Sequence, residues 1–501
     1  MKARIWKRGF SGSFLLGALL VLAGCSLAPT YEVPATPSVA SFKEAPATTD
    51  AEGTWKTAQP SEDVTRGEWW KVFDDPKLNE LEQQALNANQ NLKAAAARVK
   101  EARALNQAAR AGLFPTLDAG FGPTKQRVSA ASLFEPDGTD VPQQTLWRAQ
   151  ATASYEVDLF GRVASTVDAA KADTQRSEAL YRSVLLALQA DVAQNYFALR
   201  ELDAEADVFM QAVALREQSL ALVQRRFDEG EITELDVQRA KSELASARSD
   251  AMTVQRLRAA SEHGLAVLLG ETPAAFAIAP NPIQAVNLRI PPGLPSSLLE
   301  RRPDIAAAER TMAAANARVG VAKAAFFPSL TLTGTGGFES ATLGDLFKWS
   351  SRAFLLGPLA GTALTVPLFD GGRRRGNLAN ARAVYDEDVA QYRQQVLVAF
   401  REVEDGLADL RILETQTQTQ DDALKASQRA ADLSRKQYTE GAVNYLDVLD
   451  AQRTVLQARR TAVQLQGVQA ASTVSLIRAL GGGWGDMKAA EQVVSAAAGQ
   501  K

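Results

Sequence analysis

The sequence predicts a mixed α and β fold of two like halves, each with a helix, two strands and a pair of long helices. Three patterns predict it. The second half repeats the first at a constant offset. Apolar residues keep heptad spacing through uninterrupted helical stretches. One strand-length segment alternates strictly between apolar and polar residues. Two halves supply four strands, and four strands cannot close a sheet on themselves in lipid. If they span a membrane, several chains must share one β-barrel.

Composition fits this reading. The chain has 501 residues, 46% hydrophobic and 23% charged, with aromatics at 7%. Ala, Leu, Gln and Arg are frequent, which favours long helices. The formal net charge is −3 and the basic residues are dispersed, so no footprint for nucleic acid is present. Cys25 and His263 are the single cysteine and histidine. An intrachain disulfide and a Cys/His metal cluster are therefore excluded. His263 lies in a helical stretch and reads as a surface or packing residue. No residue constellation supports an enzyme, a metal or a cofactor.

The first element in order is an address. Lys2, Arg4, Lys7 and Arg8 precede an apolar run, residues 14–21, too short to span a bilayer. Leu22-Ala23-Gly24-Cys25 follows and resembles the bacterial lipobox. That resemblance implies cleavage of a signal peptide, residues 1–24, and lipidation (palmitate included) of Cys25. Ser26 then implies sorting to the outer membrane. The alternative is an ordinary signal peptide with an unmodified Cys25. Residues 25–68 are rich in Pro, Thr, Ala and Ser and read as an extended tether.

The repeat fixes the halves as residues 69–270 and 298–484, joined by a proline-rich crossover at 271–297 and followed by a tail at 485–501. Leu113-Phe114-Pro115 matches Phe326-Phe327-Pro328. Tyr181 matches Tyr392, Arg200 matches Arg411, Gly230 matches Gly441, Asp236 matches Asp447 and Gly270 matches Gly481. Residues 162–229 contain neither Pro nor Gly, and Leu185, Leu188, Val192, Leu199, Phe209, Val223 and Phe227 lie on one heptad stripe, interrupted by Asn195 and Arg216. At ~1.5 Å per residue this helix is on the order of 100 Å long. Gly230 suits a left-handed stop, Thr233 with Asp236 reads as a capping box, and a second helix runs to about 269. Gly441, Asn444 and Asp447 repeat the pattern. Asp74 and Asp75 before Pro76 read as a helix cap, and the glycines at 481–483 as a helix stop.

The strands carry the membrane signal. Ala149, Ala151, Ala153, Tyr155, Val157 and Leu159 share one face, and Gln150, Thr152, Ser154, Glu156 and Asp158 the other. Residues 360–368 repeat this less cleanly, and weaker strands lie at 116–122 and 329–338. A half-buried soluble sheet gives the same alternation and stays open at this point.

The chain resembles the TolC-like outer-membrane factors, more narrowly their lipidated NodT-type efflux members. The resemblance rests on Trp69-Trp70-Lys71-Val72-Phe73-Asp74-Asp75-Pro76, on Leu298-Leu299-Glu300-Arg301-Arg302-Pro303-Asp304-Ile305, on the run from Glu440 through Gly441, Asn444, Asp447 and Asp450 to Arg453, and on Ala479-Leu480-Gly481-Gly482-Gly483-Trp484. It implies a homotrimer whose twelve strands form a barrel in outer-membrane lipid, continued by a periplasmic α-helical barrel with an equatorial region. It implies a passive efflux duct for drugs, solvents or metal ions. The partners would be a periplasmic adaptor (membrane fusion) protein and an inner-membrane pump of the resistance-nodulation-division class. By the same resemblance Leu446 forms an apolar constriction and Asp450 an acidic ring at the periplasmic gate, with Asp447, Arg453 and Arg239 as neighbours. The hairpin tips, Gly230, Leu235, Asp236, Gly441 and Asn444, are the expected adaptor contacts. Thr439 departs from the basic residue the family often carries there. A duct for protein secretion and a non-conducting periplasmic coiled-coil protein are the alternative readings.

Overall fold

The computed structural model describes residues 27–35, 42–44, 68–134, 136, 138–284, 301–356 and 364–482. The signal peptide, Cys25, Ser26, most of the tether, the later part of the crossover and the tail lie outside the described residues. The helices are α1 (Pro76–Ala88), α2 (Gln90–Ala111), α3 (Arg162–Asp228), α4 (Glu234–Leu268), α5 (Pro303–Ala324), α6 (Arg373–Thr439) and α7 (Tyr445–Ala479). The strands are β1 (Thr116–Gln126), β2 (Gln144–Val157), β3 (Ser329–Ser340), β4 (Arg352–Leu356) and β5 (Leu364–Thr365). The long helices α3 and α6 have 67 residues each, and α4 and α7 have 35 each. The chain divides into two units. One contains the sheet within residues 99–177 and 308–392, together with the described part of 1–34. The other contains the remaining parts of the helices.

In the first unit the strands pair antiparallel in the order β1-β2-β3-β4, with β5 also on β3. The register sorts chemistry by face. Ala149, Ala151 and Tyr155 lie opposite Phe338, Gly336 and Leu332 on one side, while Thr152 and Ser154 meet Thr335 and Thr333 on the other. Arg148 pairs with Glu339 at 2.7 Å across the same strands. A one-residue slip would exchange the two faces. No residue of β1, β2 or β3 is buried on either face, and on the apolar one Leu117 is 76% exposed, Phe121 65% and Phe354 80%. The last strand departs from expectation. Pairing begins at Arg352 rather than near 360, and Leu364–Thr365 pair with β3 in a different register. Residues 357–363 lie outside the described residues. In this unit Asn316 Nδ2 donates to the Pro29 carbonyl at 2.9 Å and the Tyr31 hydroxyl donates to Glu309. The described start of the tether thus has no regular structure but is fastened to α5. A Cβ on Gly320 would press on Ala28 and Ser165 at 2.8 Å.

In the second unit the predicted opening helix is broken at Asn89. Its ψ of 128° leaves the helical region. Its side chain accepts from Leu92 N at 2.9 Å, starting α2, and donates to the Leu268 carbonyl at 2.9 Å, ending α4. One residue therefore caps two helix ends. Asp75 caps α1 as expected, accepting from Lys77 N and Leu78 N at 2.9 and 3.1 Å. Trp69, Trp70, Leu78 and Leu81 pack with Leu188, Val192, Tyr196, Leu199, Leu265, Leu269, Val474 and Ile477 in one apolar core. The start of the crossover is held by buried charge. Asp203 meets Arg200 at 2.8 Å and Arg258 at 2.6 Å, and accepts from Asn281 N at 2.9 Å. Where α3 faces α7, Gly467 leaves room for the Glu201 carboxylate that a Cβ would strike. Burial, then the neighbouring Glu205, pushes Glu201 up to about 7.

Glu82 of α1 is fully buried, and burial pushes its carboxyl up to about 9. The folded chain keeps a proton that the unfolded chain releases above ~4.3. Stability attributable to this residue is therefore present at low pH and falls as pH rises from the unfolded value through the folded one. Glu82→Gln should remove that slope, gaining on the order of 3 kcal/mol over the native chain between pH 4 and 7. Denaturant unfolding in detergent at the two pH values checks it, and equal pH slopes for both proteins refute it.

Candidate functional site: the hairpin tips

Each helix pair is turned by a glycine with left-handed backbone. Gly230 has φ 80° and Gly441 φ 76°. After each, the chain closes the preceding helix with two backbone bonds. Gly230 N reaches Phe227 O at 2.9 Å and Glu231 N reaches Arg226 O at 2.9 Å. In the second hairpin Gly441 N reaches Tyr438 O at 3.1 Å and Ala442 N reaches Gln437 O at 2.8 Å. This satisfies carbonyls that the helix leaves free.

The next helices start differently. Asn444 and Asp447 form the expected reciprocal cap: Asp447 N donates to Asn444 Oδ1 at 3.1 Å and Asn444 N to Asp447 Oδ2 at 3.2 Å. The predicted counterpart at Thr233 and Asp236 does not form. The Thr233 side chain makes no cap bond and its hydroxyl instead meets Asp236 Oδ2 at 3.4 Å. Asp236 is further drawn to Arg239 at 3.6 Å.

The two hairpins of one chain share an apolar cluster at the tip. Val223, Val237 and Ala240 of the first pack with Tyr438, Tyr445, Val448 and Leu449 of the second. The Tyr438 and Tyr445 rings lie 5.7 Å apart. Burial, followed by Tyr438 and Glu243, pushes the Tyr445 phenol up to about 12. Leu446 and Leu235, on neighbouring positions, remain exposed at 39% and 56%. The heptad pattern thus divides: Val448 and Leu449 look inward, and Leu446 is left available.

Among the predicted charges, Asp450 Oδ1 lies 3.2 Å from Arg453 Nη1, and both side chains are more than half exposed. No ion pair joins Asp450 to Arg239 among the described residues; Arg239 is held by Asp236 on its own helix. Sequence reading missed Glu243. It accepts from Arg453 Nε at 3.1 Å, and its carboxylate lies 3.1 Å from Arg216 Nη1. Arg216, which breaks the apolar stripe of α3, is the signal that pointed there, since a buried cation in a heptad stripe requires an anion. His263 is an exposed helix residue, as expected.

Comparison with known proteins places this geometry in context. The profile of the outer membrane efflux protein family matches residues 81–271 and 294–482. The toluene efflux pump outer membrane protein TtgF of Pseudomonas putida is 37% identical over 470 residues, covering 93% of this chain and 95% of its own length. The outer membrane protein OprJ of Pseudomonas aeruginosa is 36% identical, covering 95% and 97%. The solved outer-membrane channel OprN superposes with a TM-score of 0.82 at 30% identity, covering 92% of this chain and all of that one.

The two caps predict unequal sensitivity. Asn444→Ala should cost about 1 kcal/mol by stripping a formed cap, and Thr233→Ala only a few tenths. Gly441→Ala should cost about 1 kcal/mol through backbone strain alone, because nothing lies within 4 Å of an added Cβ. Hydrogen exchange at the two tips reads these costs separately, and equal losses for Asn444 and Thr233 would refute the assignment.

Proposed function

The chain belongs to the outer membrane efflux protein family, and from that premise we propose that it is the outer-membrane channel of a tripartite efflux system. Three copies would share one twelve-stranded barrel, and their helical hairpins would line a tunnel into the periplasm. The observation that carries this reading is the sheet. It exposes large apolar side chains on one face and polar groups on the other, and it ends in edge strands β1 and β4. Lipid offers unpaired strand edges no hydrogen-bond partner, so neighbouring copies must supply them. The equal lengths of α3 and α6, and of α4 and α7, support the two-repeat reading, as does the family match in two stretches.

The conduit moves solutes passively, and a pump and periplasmic adaptor deliver them. Relatives are described as parts of toluene, solvent and antibiotic efflux pumps. We assign this chain small-molecule cargo of the same kind. Lipidation at Cys25 would anchor it on the periplasmic side of the membrane. At the tips, Leu446 is the constriction and Asp450 the acidic ring, with Arg453 restraining it. Asp447 serves chiefly as the helix cap, and Gly230, Leu235, Asp236, Gly441 and Asn444 form the surface offered to the adaptor. Carboxylates converging on an axis repel one another and attract cations, so such a ring favours cation passage once open.

Extracted protein should run as three chains and conduct in planar bilayers. Asp450→Ala should raise conductance severalfold and weaken cation preference. A water-soluble monomer that carries no current would overturn the channel reading, and unchanged conductance in the variant would remove Asp450 from the gate.

A further inference from the structure

In the unit that holds the sheet, a groove opens between the first turns of α3, the last turns of α5 and the start of α6. Its volume is 490 Å³, within the roughly 300–1,000 Å³ of small-molecule sites. The floor is apolar: Ala169 of α3, Val321 and Ala322 of α5, and Ala325 just after it. Two cations, Arg318 of α5 and Arg374 of α6, complete the lining.

Two observations turn this groove toward the inside of the duct. Glu156, on the polar face of β2, accepts from Arg162 Nε at 2.7 Å. Ala169 and Asp173 follow Arg162 by seven and eleven positions, so they share its side of α3. The tether lies against the other side of α5. There Ala28 sits on Gly320, and Ala322, two positions further, points the opposite way. A tether lipidated at Cys25 runs outside the wall, which leaves the Ala322 side within it. This placement rests on the channel reading.

The lining presents its cations more than its anions. Arg318 is paired with Asp173, and the two side chains are 52% and 27% exposed. Arg374 Nε lies 3.1 Å from Asp370 Oδ2, but the Asp370 carboxylate also accepts from Gly372 N and Arg374 N, at 3.1 Å each. Its charge is shared with the start of α6. Guanidinium donors beside an apolar floor complement a flat ring that carries a carboxylate. We propose that the groove is a resting site for small aromatic acids in the duct wall, with the ring against the alanines and the carboxylate toward Arg318. A site inside a conduit must also release its occupant, so binding is weak, on the order of 1 mM.

Thiol labelling through the outer end tests this whatever the state of the tip. Ala322→Cys is treated with a membrane-impermeant cationic methanethiosulfonate in proteoliposomes, and the parent protein measures any reaction at Cys25. Labelling should proceed, and about 2 mM 4-methylbenzoate should slow it roughly threefold. A bound carboxylate attracts the cationic reagent, so slowing reports contact rather than charge. 4-Methylbenzylamine, the same ring with a cation, should leave the rate unchanged. Adding Arg318→Gln should abolish the protection. Ala325→Phe, which fills the groove from an exposed position, should abolish it too if loss of Arg318 disturbs assembly. Equal protection by the acid and the amine, no protection by the acid, or protection that survives both substitutions would overturn the proposal. So would a conducting trimer in which Ala322→Cys never reacts. A protein that neither trimerises nor conducts would instead overturn the channel reading.

Discussion

A sheet edge in lipid has nowhere to send its hydrogen bonds, and the rest of this chain follows from that constraint. Its strands pair through a register that puts Ala149, Ala151 and Tyr155 on one surface and Thr152 and Ser154 on the other. Such a sheet buries neither surface within one chain. Phe121 and Phe354 stand exposed on the apolar surface, the kind of patch that marks a contact with lipid or another chain. In the barrel proposed above, with lipid outside and water inside, the same exposure would be the solution, and Gly337 allows β3 to approach β2 where a Cβ would strike the Ala149 carbonyl.

The helical hairpins solve a different problem. Long helices are stable only when a stripe is buried, and here small residues let neighbours come close. Gly406 packs under Leu476, and Gly467 under Glu201. Polar groups inside these contacts are compensated locally. Arg302 is met by Asp304 and Glu402 at 2.6 Å and by the Ala479 carbonyl at 3.1 Å. Burial pulls the Arg302 pKa down, but its two carboxylate partners outweigh this and raise it overall. Paired buried charge of this kind adds little net stability, yet removing one partner is costly. It therefore fixes which helix faces meet more than how strongly they adhere.

Features set by neighbours in the chain were legible in the sequence. The left-handed turns at Gly230 and Gly441, the Asp75 cap and the alternation of β2 all depend on residues within a few positions. Features set across the fold were not. The break at Asn89 depends on the Leu268 carbonyl, distant in sequence. The start of the last strand at Arg352 depends on its pairing to β3 rather than on its own pattern. Thr233 and Asn444 show the limit of local rules: they stand at matching places, but the longer Asn side chain reaches the third helical N–H while the Thr hydroxyl turns to Asp236. At the tip, the exposed charges were readable as a group because they follow the glycine. Their sheltered counterpart Glu243 was not, since nothing in α4 alone distinguishes it from the other surface acids.

Two like halves need not give two like hairpins, and the tip shows why that matters. By the sequence offset Glu243 corresponds to Thr454, Arg216 to Ser427 and Arg453 to Ser242. Thr454 and Ser427 spend their hydroxyls on backbone carbonyls of their own helices, at Asp450 and Leu424. The charged line of Arg216, Glu243 and Arg453 is therefore built once, running from the first hairpin to the second with no return. Farther along, Arg460 of α7 meets Glu205 of α3 and Arg478 lies 3.6 Å from Asp191, so there too the cation comes from the second hairpin and the anion from the first.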